Sequence, residues 1–69
     1  MNTNIDLLKS MLNKKEINYT DNIDELIVTI KKQEIVIKDD TTAYEISTDN
    51  YNDVAFDEKE VIAFIEREG

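Results

Sequence analysis

Glu25-Leu26-Ile27-Val28-Thr29-Ile30-Lys31-Lys32-Gln33-Glu34-Ile35-Val36-Ile37-Lys38 is the stretch that decides the fold. Two runs rich in β-branched residues, 25–31 and 34–38, flank a polar break at Lys31-Lys32-Gln33. In the first run Leu26, Val28 and Ile30 fall on one side of an extended chain, with Ile27 and Thr29 on the other. In the second, Ile35 and Ile37 oppose Val36. A period of two with apolar residues concentrated on one side is the pattern of half-buried strands. The break lacks the Asn-Gly or Asp-Gly pair of a tight hairpin, so the spacing predicts a longer or bulged connection.

Outward from this pair, Asp39-Asp40-Thr41-Thr42 reads as a turn, and residues 43–48 place Tyr44 and Ile46 on one side. On the other flank, residues 17–20 alternate as a short edge strand would, and Asp21-Asn22-Ile23-Asp24 reads as a turn. The expectation is an antiparallel meander of three or four strands. Residues 49–56 read as a polar loop with apolar anchors.

Two helices bracket the meander. Over 4–15, Ile5, Leu8 and Leu12 share one face, widened by Leu7 and Met11; Thr3-x-x-Asp6 has capping-box spacing with Thr3 as the cap, and Lys14 and Lys15 suit the helix end. From Asp57, Asp57-x-x-Glu60 forms a second capping box, with Phe56 and Val61 at the positions of a hydrophobic staple. Val61, Phe64 and Ile65, flanked by Ile62, supply its buried face. The reading is an α+β fold, one domain over residues 1–69, with both helices on one face of the sheet. Ile27 and Val36 on the second face suggest cover there by a dimer mate.

Composition narrows the function. A chain of 69 residues buries only about 60 % of the surface its unfolded form exposes, and small domains commonly add disulfides, a metal or oligomerisation. Cysteine and histidine are both absent, which removes disulfides, thiolate zinc sites and the usual catalytic base and nucleophile. Ser10 and Ser47 have no base at recognisable spacing, and the only glycine, Gly69, builds no phosphate loop. Asp49, Asp53 and Asp57 recur at intervals of four, yet no EF-hand glycine accompanies them, so they read as a solvated acidic loop. The expectation is a chain with no enzyme activity, metal or cofactor. The ten isoleucines fall in periodic runs, against disorder. No apolar run reaches 18 residues and no secretory signal is visible, so a cytoplasmic protein is expected. Scarce Gly and Pro with abundant Ile, Asn, Lys and Asp fit an AT-rich coding sequence, as in a low-GC bacterium or its phage.

Charge is the sharpest signal. The net charge is −8, and from Asp39 to Glu58 there are seven acidic residues and no basic one. Those seven are Asp39, Asp40, Glu45, Asp49, Asp53, Asp57 and Glu58. Such a field repels nucleic acid and attracts basic surfaces. Duplex DNA carries about one charge per 1.7 Å of axis, so a rigid carboxylate array is a plausible mimic of it. Tyr51, interleaved with the acids, is the candidate aromatic anchor.

The opening Met1, Asn2, Ile5, Leu8, Leu12, Asn13, Lys14, Lys15 and the sheet segment Glu25-Leu26-Ile27-Val28-Thr29-Ile30 resemble those of the small acidic phage proteins that inhibit host nucleases, of the anti-CRISPR, Cas9-inhibiting type. The resemblance covers residues 1–48. It implies a helix, three strands and a helix, and an acidic face lodged where the nuclease would read the protospacer-adjacent duplex. The acidic region after the third strand does not match residue by residue, so no individual contact carries over. Acidic phage inhibitors of uracil-DNA glycosylase use similar mimicry and are an alternative, as is a small homodimeric prophage domain.

Overall fold

A computed structural model describes residues 2–68; Met1 of the opening motif and Gly69 lie outside them. The order is α1 (Ile5–Lys14), β1 (Tyr19–Asn22), β2 (Glu25–Ile30), β3 (Gln33–Asp39), β4 (Tyr44–Ser47), β5 (Asn52–Ala55) and α2 (Glu58–Glu68). The strands form one antiparallel sheet in sequence order, β1-β2-β3-β4-β5.

The central pair forms as its alternation demands. Leu26 lies opposite Ile37 and Val28 opposite Ile35, all four buried, while Ile27 and Val36 pair on the other side and are only half-buried. Tyr44 and Ile46 extend the buried row through β4, and Ala55 extends it into β5. Leu8 and Leu12 of α1 and Val61, Ile62, Phe64 and Ile65 of α2 belong to the same hydrophobic core. The α+β class therefore holds.

Five details differ from the sequence reading. The sheet has five strands rather than three or four, because residues 52–55 of the expected polar loop form β5. The cause is local: Thr48 N–H donates to the Tyr51 carbonyl at 2.9 Å, and the Thr48 hydroxyl oxygen accepts from the amides of Asn50 and Tyr51 at 3.2 and 3.1 Å. That tight turn sets the register for a strand whose composition is poor in β-formers.

The first edge strand is shifted to Tyr19–Asn22, and the turn after it is reduced to Ile23 and Asp24. Lys31-Lys32 is a two-residue connection, not a longer one: Ile30 pairs with Gln33, and both lysines have positive φ, 50° and 67°. That is the backbone signature of a type I′ turn without its usual residues. The α1 cap is Asn4, whose side chain accepts from Leu7 N–H at 3.1 Å, rather than Thr3. Thr3 instead donates its hydroxyl to the Asp39 carboxylate and its N–H to the Thr41 carbonyl.

At the far end of α1, Glu16 adopts φ 59° while Glu16 N–H bonds Asn13 O and Ile17 N–H bonds Leu12 O, a Schellman closure made without glycine. Asp57 caps α2 as expected, accepting from Glu60 N–H at 2.8 Å. The staple does not close in the expected way: Val61 is buried, but Phe56 remains 67 % exposed.

Candidate functional site

Successive hairpins send alternate turns to opposite ends of the sheet. The β1–β2 turn at 23–24 and the β3–β4 turn at 40–43 therefore share one end, and the Lys31-Lys32 and 48–51 turns share the other. Both helices begin at the first end. Thr3 N–H reaches Thr41 O at 2.8 Å, and Asn4 N–H reaches the Glu58 carboxylate at 2.8 Å. Both helices finish at the second end, where Lys15 pairs with Glu66 at 3.2 Å and Gln33 lies against Glu68.

The consequence is a sorting of charge by end. The first end collects Asp21, Asp24, Glu25, Asp39, Asp40, Asp57 and Glu58 against three cations: Lys9, which bridges Asp21 at 2.6 Å, Lys38, cross-strand from Glu25, and Lys59, beside Glu58. Donation of this hydrogen bond to the Asp21 carboxylate, together with the negative charges of Asp21 and Asp6, raises the Lys9 pKa against slight desolvation. A groove at this end is lined by Ile5, Lys9, Asp21, Asp24, Glu25 and Asp39. The N-termini of α1 and α2 carry partial positive charge, which offsets part of the mutual repulsion of these carboxylates.

Of the seven residues singled out in the sequence, Asp39, Asp40, Asp57 and Glu58 share this end. Three of them also hold the fold. Asp39 accepts from the Thr3 hydroxyl and from Thr41 N–H at 3.0 Å, Asp57 caps α2, and Glu58 accepts from both Asn4 N–H and the Tyr44 hydroxyl. Burial pushes the Glu58 pKa up, but the bonds from Tyr44, Asn4 and its own amide outweigh it, so the net shift is downward and the carboxylate stays ionised. Asp40 makes no side-chain hydrogen bond to another described residue and is exposed.

The other three lie elsewhere. Glu45 points to the second side of the sheet, opposite Lys38 and Val54. Asp49 sits in the turn at the far end. Asp53 lies on β5, 3.8 Å from the Arg67 guanidinium. Tyr51 is also remote from the acidic end. Its ring packs on Phe64 at 5.9 Å between centroids, tilted by 59°, and Arg67 stacks over the same Phe64 ring at 5.3 Å. The neighbouring Glu68 carboxylate raises the Tyr51 hydroxyl pKa.

Sequence reasoning missed Asp21, Asp24 and Glu25 as members of the acidic end, because it followed charge along the chain. The available signal was the meander itself: in up-and-down hairpins the first and third turns must meet. Chemically this end offers fixed negative charge. Among the described residues no group of three or more carboxylates is arranged to hold a metal ion, and no helix is long and apolar enough to cross a membrane. Compared with protein-family models, with curated proteins and with solved structures, the chain finds no match.

Proposed function

We propose that this chain is a phage-encoded inhibitor that binds a host DNA-handling nuclease, a CRISPR effector such as Cas9, by presenting a DNA-like acidic surface. It works by occupation and catalyses nothing. The observation that carries the reading is the collection of Asp21, Asp24, Glu25, Asp39, Asp40, Asp57 and Glu58 at one end of a small rigid sheet. Hydrogen bonds from Thr3, Thr41, Asn4 and Tyr44 hold Asp39 and Glu58 in place. A pre-organised array loses little entropy on docking, and its field steers encounter with a basic channel.

In this reading both helices cover one face of the sheet, which the single core shared by Leu8, Leu12, Val61, Ile62, Phe64 and Ile65 supports. The inhibitor acts in the cytoplasm of the infected or lysogenic host. An affinity pull-down from a low-GC bacterial lysate containing a CRISPR nuclease tests it, with washes at low and high salt and with added duplex DNA. Recovery of the nuclease, weakened by salt and by duplex, is the expected result. Recovery of only the protein's own untagged copy favours the homodimeric alternative instead.

A further inference from the structure

We infer that the free edge of β5 accepts an extended basic segment of a partner protein as a sixth strand of the sheet. The inference rests on the reading above that the partner surface is basic.

β5 is an outermost strand. The Thr48 N–H to Tyr51 O bond closes the hairpin at that pair, so the alternation of an antiparallel ladder turns the backbone groups of Asn52 and Val54 away from β4. Val54 N–H accordingly donates to the Asp53 carboxylate at 2.8 Å, and Phe56 N–H just beyond the strand donates to Glu60 at 3.0 Å. Edge strands are commonly guarded by lysine, proline or a bulge. Here no lysine, arginine or proline occurs from residue 39 to residue 58, and the register of β5 is unbroken.

The edge also carries exposed apolar surface. Tyr51, Val54 and Phe56 are 43 %, 49 % and 67 % exposed. The opposite edge, β1, differs: Thr20, Asp21 and Asn22 are polar, and Asp21 is tied to Lys9 of α1.

Carboxylates as the edge guards decide what can pair there. A second copy, itself at −8, would bring like charge against Asp53 and Glu60, so self-pairing is opposed. A basic strand instead brings positive charge to Glu60 and to Asp53, whose present counter-charge is the exposed Arg67 guanidinium 3.8 Å away, as it displaces both carboxylates from the edge amides. The alternation of β5 sets its pattern: apolar side chains on the side of Val54, Lys or Arg on the side of Asp53.

The test titrates the isotope-labelled full chain with an end-blocked octapeptide of alternating Lys and Val, with alternating Glu and Val as the control, followed by amide chemical shifts and hydrogen exchange. Saturable shifts confined to residues 51–56, slowed exchange at Asn52 and Val54, no response to the control and loss of the response in Val54→Lys are expected. Val54 lies outside the core, so that variant folds, and its own spectrum verifies this. No saturable shift, or shifts centred on residues 21–25 and 39–41, would overturn the inference. The acidic-end reading is tested on the nuclease itself, so failure of the one is distinguishable from failure of the other.

Discussion

The Tyr44 hydroxyl donates a 2.7 Å hydrogen bond to the Glu58 carboxylate, whose same oxygen also accepts from Asn4 N–H. One side chain thereby joins β4, the start of α2 and the start of α1, and fixes the acidic end around a buried aromatic ring. Hydrogen bonds to ionised groups are stronger than neutral ones, so this junction is expected to contribute measurably. Tyr44→Phe, which keeps the ring and deletes the donor, should cost about 1.5–3 kcal/mol in urea denaturation. An unchanged midpoint would show that the bond is replaced by water at no loss.

The same pair sets the pH dependence. Glu58 titrates below its ordinary value of 4.5 in the folded protein, so its contribution is present above that value and is lost as pH falls through the lower folded pKa. Burial, then the bond to Glu58, raises Tyr44 well above its ordinary 10.0, so its contribution is present below pH 10.0 and is lost as pH rises beyond it. Thermal midpoints across pH should fall on both limbs. Glu58→Gln should flatten the acid limb, and Tyr44→Phe the alkaline one; steep limbs in both variants would assign the dependence to other groups.

Among the described residues, five other than glycine, Glu16, Ile23, Lys31, Lys32 and Thr41, have positive φ. Each pays a steric penalty that glycine or asparagine avoids, most of all the β-branched Ile23 at φ 53°, 93 % exposed. Replacing Lys31-Lys32 by Asn-Gly should stabilise the protein by about 1–2 kcal/mol, and Ile23→Gly by about 1 kcal/mol. For a domain of this length each kcal/mol corresponds to about 4–8 °C in Tm. A lower Tm for the Asn-Gly variant would mean the lysine stems contribute packing that outweighs the backbone cost.

The legible and illegible parts of this chain divide along physical lines. The core strands were readable because Leu26, Val28, Ile35 and Ile37 alternate without exception, and a one-residue slip would expose all of them. β5 was not, because Asn52 and Asp53 have little intrinsic preference for a strand and pair only as the second arm of a turn built by the Thr48 hydroxyl. The Lys31-Lys32 turn was missed for a related reason: pairing of Ile30 with Gln33 overrides the preference of the turn residues. Asn4 displaced Thr3 as the cap because Thr3 is drawn across to Asp39 and Thr41, a contact no local spacing encodes. For the candidate site, Asp39, Asp40, Asp57 and Glu58 were found by their density in sequence. Asp24 and Glu25 belong to the same end through topology alone.

The most direct measurement is equilibrium binding to a purified Cas9–guide RNA complex across a range of salt. Wild type would be compared with an Asp24→Asn, Glu25→Gln, Asp40→Asn triple variant and with Asp49→Asn. None of the three replaced side chains makes a hydrogen bond among the described residues, so the fold is retained, whereas Asp49 lies at the other end of the sheet. The account predicts that wild type binds more weakly as salt rises and is displaced by duplex carrying the protospacer-adjacent motif. It further predicts that the triple variant loses binding and Asp49→Asn keeps it. Absence of wild-type binding, or a triple variant that binds as tightly as wild type, would contradict it.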